Sequence, residues 1–222
     1  MKFNILTLFP EMFDALKVSL LGKAQEKGAI EINVIDIREF SLDKHKKCDD
    51  YPFGGGAGML MSVQPLYDAI MSVKVPNSLT IYMSPCGKTL NQGKVKELAK
   101  VDIVNIVCGH YEGIDQRVID LCIDEEISIG DYVLTGGEIP AMVVVDSVSR
   151  YIPEVLHSKD SVIDESFSSN LLEYPQYTRP QEFMGKKVPE ILLSGHHENI
   201  AKWRMQKAIE KTKQVRPDLL ED

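Results

Sequence analysis

The sequence predicts an α/β domain with a mostly parallel sheet, followed by a small all-helical domain. Three observations carry this expectation. Short apolar runs that suit strands alternate with stretches of helical period as far as Ile152. Three of those runs end in glycine-bearing loops. Beyond Pro153 the pattern turns polar, from Leu156 to Asn170, and after Arg179-Pro180 only helical patterns appear.

Phe3 to Phe9 reads as a buried strand, and Pro10 opens a helical stretch from Glu11 towards Gly28. Ile30 to Ile37 begins with apolar alternation at Ile30, Ile32 and Val34 and reads as a second strand. Arg38 to Gly58 is a long polar connection ending in glycines, a length that in compact domains usually serves a function. Gln64 to Val73 is a helix with Pro65 in its first turn. Leu79 to Met83 is a strand, Ser84 to Lys88 a turn and Leu90 to Lys100 a helix. The apolar run Ile103 to Cys108 suits a strand buried on both faces. Asp115 to Cys122 reads as helix, Glu126 to Ile129 as a short strand and Pro140 to Ile152 as helix. In the last segment Glu198 to Gln214 is helical, with Ile200, Trp203 and Ile209 as its candidate apolar positions.

At 222 residues the chain can bury a full core and still carry a small second domain. No run approaches the roughly 20 apolar residues of a membrane span, and the first residues offer no signal-peptide apolar region, so an intracellular protein is expected. Cys48, Cys86, Cys108 and Cys122 form no C-x-x-C pair and read as reduced thiols in or near the core. The net charge of −8 opposes a nucleic-acid partner, but it is unevenly spread. From Gln181 onward there are 8 Lys/Arg against 7 Asp/Glu, a net +1 that leaves −9 to the remainder. Asn199 to Pro217 holds Lys202, Arg204, Lys207, Lys211, Lys213 and Arg216 against Glu210 alone. That stretch is either a nucleic-acid footprint or a solvated helix face.

Several familiar patterns fail. Gly87-Lys88-Thr89 ends like a phosphate-binding loop, but Tyr82 stands where that loop needs its first glycine. Gly54-Gly55-Gly56-Ala57-Gly58 lacks the last glycine of the dinucleotide fingerprint, because Met59 holds its place. His45, Cys48, Asp49 and Asp50 have no second Cys/His pair to complete a metal site. His196 and His197 are adjacent and diverge on a helix. What survives is the set of loops at strand ends: Tyr82 to Gly87, Cys108 to Asp115 and Ile129 to Glu138. In α/β sheets ligands gather outside the carboxyl ends of strands, glycines let the backbone approach them, and tyrosines offer flat surfaces. This points to a small molecule with a planar group, such as a nucleoside.

The segments Leu8 to Phe13, Asp50 to Met59, Cys108 to Asp115, Ile129 to Pro140, Tyr177 to Pro180 and Ser194 to His197 together carry a resemblance. Over essentially its full length the chain resembles the TrmD family, the bacterial tRNA (guanine-N1)-methyltransferases of the SPOUT class. The resemblance implies a parallel-sheet domain with a deep trefoil knot, an exception to the rule that chains are unknotted. It implies S-adenosylmethionine bound by Tyr82, Ser84, Pro85, Gly109, Tyr111, Glu112, Ile129, Gly130, Asp131, Tyr132, Val133, Leu134, Gly136 and Gly137. The implied division is a knotted domain over 1–156, a linker over 157–176 and a helical tRNA-binding domain over 177–222. The implied assembly is a homodimer, each site shared between the knot of one subunit and the linker and helical domain of the other. The implied reaction is methyl transfer to N1 of the guanosine immediately 3′ of the anticodon, which supports reading-frame maintenance.

Guanine N1 carries a proton at neutral pH, so a general base is needed, and its loss pushes negative charge onto O6, where a cation stabilises the transition state. The family's Arg falls on Arg150 and its linker base on Glu165, where the family has Asp. Asp164, next to it, is the alternative base after a one-residue shift. Glu112 either reads guanine N–H donors or supports its loop, and Tyr111 and Tyr132 either stack on a base or pack. Family members are associated with Mg²⁺, but no ligand cluster in the sequence locates it. The competing readings are a SPOUT methyltransferase acting on another RNA site and a non-catalytic tRNA-binding module.

Overall fold

A computed structural model describes residues 1–156, 166, 167 and 170–220. The chain divides into two compact units, Met1–His157 and Ser158–Asp222. The first unit is built on five strands: β1 (Lys2–Thr7), β2 (Glu31–Asp36), β5 (Ser78–Thr89), β6 (Ile103–Cys108) and β7 (Glu125–Ser128). They form one sheet in the order β2-β1-β6-β5-β7, and every pairing is parallel. Two short strands, β3 (Asp49–Asp50) and β4 (Leu60–Met61), pair antiparallel and bracket the glycine loop between them.

Helices cover both faces because the strand residues alternate between them. Phe3, Ile5, Ile81, Val104 and Ile106 point into a core closed by α1 (Ser19–Glu26), α3 (Gln92–Leu98) and α5 (Glu138–Ser149). Leu6, Tyr82 and Val107 point to the other side, against α2 (Val63–Val73) and α4 (Gln116–Cys122). Among the described residues no helix is long and apolar enough to cross a membrane.

A row of polar side chains crosses the second face at one register. Asn33, Asn4, Asn105 and Thr80 are partners on adjacent strands. Asn33 Nδ2 donates to Asn4 Oδ1 at 3.2 Å, and Asn4 Nδ2 donates to Asn105 Oδ1 at 2.8 Å. Asn105 Nδ2 then donates to Ser78 Oγ and Thr80 Oγ1. Asn4 and Asn105 are buried, so slipping any one strand would strand their amides without partners. The row therefore specifies the register that apolar packing alone leaves open. Asn105→Leu, similar in volume, should lower unfolding free energy by about 1–3 kcal/mol, read by urea titration. An unchanged midpoint would remove the row from any such role.

Two local expectations need correction. The helix expected from Glu11 towards Gly28 is two pieces, a 3-10 helix Pro10–Lys17 and then α1, whose first residue Ser19 sits at φ 58°. The return is tight: a Cβ on Gly22 would lie 2.3 Å from the Lys17 carbonyl oxygen. The turn expected at Ser84 to Lys88 is an irregularity inside β5, which pairs with Ile127 first through Met83 and again through Lys88. The intervening residues are pushed out of the ladder, and Gly87 passes so near β7 that a Cβ would sit 2.4 Å from the Glu126 carbonyl carbon.

The second unit is not all helical. β8 (Glu182–Phe183) and β9 (Lys186–Lys187) form a hairpin before α6 (Glu190–Leu193) and α7 (His197–Val215). Its two turn residues, Met184 and Gly185, have φ 49° and 76°, the mirror-image turn that matches strand twist. A methionine at such a φ is uncommon, so the residue types at this turn do not announce it. On α7 the fully buried positions are Ala208 and Thr212, while Ile200, Trp203 and Ile209 are half-buried. Thr212 Oγ1 donates to Ala208 O and accepts from Leu172 N, which pins the preceding extended segment to the helix.

Candidate active site

The sheet order places β6 on one side of β5 and β7 on the other, so the loops leaving those strands diverge around the end of β5. A crevice forms at such points. Here it is a cavity of about 450 Å³. Of the residues expected to bind cofactor, Tyr82, Ser84, Pro85, Gly109, Tyr111, Glu112, Ile129, Gly130, Tyr132, Val133, Leu134, Gly136 and Gly137 line it. Asp131 does not: it is exposed in the same loop. Gln116, Glu126 and Pro140 also line the cavity. They lie on neighbouring strands and helices and bore no loop signal.

The wall is made by close backbone approach. Gly137 N donates to Gly109 O at 2.8 Å, and His110 bridges Gly136, so the 109–113 and 129–137 loops are stitched together. A Cβ on Gly137 would lie 2.8 Å from Cys108 Cα. The glycine loop before β4 joins them: Glu112 N donates to Met59 O, and the Glu112 side chain rests where a Cβ on Gly58 would stand. Tyr111 sits at φ 59°, a conformation that costs a non-glycine residue energy and presents its ring, 43% exposed, beside the cavity.

Side chains behind the wall are unusually polar. Glu138 is 2% exposed at the first turn of α5, and Thr7 Oγ1 donates to its Oε1 at 2.8 Å while accepting from Phe9 N. His110 packs between Phe9, tilted at 4.8 Å, and Tyr111, edge-on at 4.9 Å, and its buried Nδ1 has no hydrogen-bond partner among the described residues. Glu138 Oε2 and His110 Nδ1 converge on one point, 2.3 and 2.8 Å from where a Cβ on Gly136 would be. Gly136 is thus a glycine for want of space. Burial pushes the Tyr82 phenol up to about 12, so it stays protonated and is no base at neutral pH. Burial, and then the charge of Glu138, hold the Cys108 thiol well above its ordinary range, which makes it inert.

Arg150 lies elsewhere. It caps the carboxyl end of α5, whose amino end forms the cavity wall. The 12 residues of that helix separate the two by about 18 Å. Arg150 does not line the cavity of its own chain. Glu165 and Asp164, the two candidate bases, lie outside the described residues.

Fold and cavity define an α/β protein with a nucleoside-sized site at the carboxyl ends of parallel strands. The family model described as tRNA (Guanine-1)-methyltransferase TrmD matches residues 1–222, and the chain belongs to that family. A tRNA (guanine-N(1)-)-methyltransferase of Ruminiclostridium cellulolyticum is 57% identical over 99% of this chain and 96% of its own length. One of Clostridium perfringens is 58% identical over 100% of this chain and 94% of its own. One of Clostridioides difficile is 53% identical over 99% and 97%.

Gly136→Val would drive its side chain into the space held by Glu138 and His110. It should weaken S-adenosylmethionine binding at least about tenfold, as overpacking typically costs roughly 1–3 kcal/mol. Calorimetric titration measures this, and wild-type affinity would show that the wall yields without disturbing the cavity.

Proposed function

We propose that this chain transfers a methyl group from S-adenosylmethionine to N1 of the guanosine immediately 3′ of the anticodon in tRNA, as a homodimer in the cytoplasm. The observation that carries the reading is the match over the whole chain to relatives named tRNA (guanine-N(1)-)-methyltransferase. The cavity agrees with it in size and chemistry. Its backbone-lined, glycine-bearing wall suits a ligand held by N–H and C=O groups, and the exposed rings of Tyr111 and Tyr132 suit a purine. We read the stitched loops 109–113 and 129–137 as the trefoil knot of the SPOUT class.

S-adenosylmethionine, when bound, supplies a sulfonium methyl that is already electrophilic. The work left to the protein is on guanine. The Glu165 carboxylate takes the N1 proton as the methyl arrives, and the Arg150 guanidinium balances the charge that develops on O6. The 18 Å length of α5 keeps Arg150 from its own cavity, so Arg150 serves the cavity of a partner subunit. Ile139 and Val143, one turn apart on α5, are 47% and 41% exposed, as expected of a face that a second copy covers. Among the described residues no three His, Cys, Asp or Glu side chains converge, so no Mg²⁺ ligands are assigned to this chain.

The test is methyl transfer to anticodon stem-loops that differ only in the nucleotide 3′ of the anticodon. Guanosine should be methylated and other purines should not. Equal transfer to both would place the methyl at another RNA site, and no transfer at all would leave a tRNA-binding module.

A further inference from the structure

The second unit contains a cavity of its own, about 470 Å³, formed by the 174–181 segment and the start of α7. Among the described residues no Asp or Glu lines it, whereas Arg179 and Arg204 both do. Neither guanidinium has a carboxylate partner among the described residues. Arg204 lies over the Tyr174 ring at 4.8 Å, which holds the cation in place without neutralising it. Tyr177 is 49% exposed, packs at 6.5 Å on Trp203 and keeps ring surface open to solvent. Leu192 and Ile200 supply an apolar floor.

The rest of the basic stretch is less available than its sequence suggests. Lys202, Lys207 and Arg216 are paired with Glu198, Glu210 and Asp218 at 2.7, 2.6 and 2.6 Å. Lys211 and Lys213 also have no carboxylate partner among the described residues, but they stand outside this pocket; only here do two unpaired cations share a wall with flat aromatic surface. Cation, π-face and apolar floor together are the chemistry that accepts a nucleotide: a base stacks on the ring and its phosphate meets the guanidinium fork.

We propose that this pocket takes one unstacked nucleotide of the RNA substrate, its base on Tyr177 and its phosphate between Arg179 and Arg204. The proposal rests on the tRNA reading above and adds a second point of RNA contact, remote in sequence from the cofactor cavity. It is a binding site only, and no chemistry occurs there.

The experiment uses the full chain and an anticodon stem-loop RNA, with affinity measured by fluorescence anisotropy at several salt concentrations. Tyr177→Ala should weaken binding about tenfold with the salt slope unchanged, because stacking carries no charge. Tyr177→Phe should bind as wild type. Arg179→Ala and Arg204→Ala together should weaken binding and flatten the slope by about 0.7, the value for one single-stranded phosphate that is no longer neutralised. S-adenosylmethionine affinity should not change in any variant. Wild-type RNA affinity and slope in the Ala variants would overturn the proposal. So would RNA binding that falls only in step with dimer dissociation in sedimentation, which would make the pocket a contact between copies of this chain. Failure of the reaction reading looks different: wild-type chain would methylate no tRNA while these same residues still governed RNA affinity.

Discussion

Glu165→Gln should lower single-turnover methyl transfer by about 10²-fold or more, with RNA and cofactor affinity near wild type. The amide keeps the shape of the side chain and cannot accept the N1 proton. Asp164→Asn should cost little, because a carboxylate with no part in the proton transfer has nothing to supply to that step. Glu165→Asp restores the residue usual in the family and should keep most of the rate. The informative reversal is a mild Glu165→Gln beside a damaging Asp164→Asn. That outcome would make Asp164 the base and shift the linker correspondence by one residue.

A second large effect follows from the geometry of α5. At limiting S-adenosylmethionine, Arg150→Ala and Gly136→Val should each be strongly impaired alone, the first through missing charge stabilisation and the second through the distorted wall that weakens cofactor binding. The two lesions lie at opposite ends of one helix, about 18 Å apart. If Arg150 serves the partner's cavity, a mixed dimer has one site with both lesions and one with neither. Random exchange of equal amounts should then recover about a quarter of wild-type activity, since half the dimers are mixed and each holds one intact site. No recovery, with mixed dimers demonstrated by differential tagging, would confine each active site to a single chain.

The sheet was largely legible in the sequence because its strands are short, mostly apolar runs whose side chains feed two cores. Ile103 to Cys108 is a strand by its pattern and in the fold, and the loops after β5, β6 and β7 were found from their glycines and tyrosines. What the sequence did not reveal depends on contacts between distant residues. Thr7 and Glu138 stand 131 positions apart, and nothing local marks either as a partner of the other. The glycine at Gly136 reads as a loop residue, yet its cause is the space taken by Glu138 and His110. The irregularity in β5 looked like a turn because Pro85 and Gly87 are turn formers, whereas their role is to lift Ser84 to Gly87 out of the ladder. The charge of α7 was overstated for a similar reason: Glu198 and Asp218 flank the basic run and neutralise two of its members.

The most direct test of the central claim is the identity of the product nucleoside. Purified chain, S-adenosylmethionine and an unmodified tRNA with guanosine 3′ of the anticodon are incubated, and the tRNA is digested and resolved by mass spectrometry against authentic standards. The account predicts 1-methylguanosine, mapped to that single position. Methyl found on the ribose, on another guanine atom or at another position would contradict it.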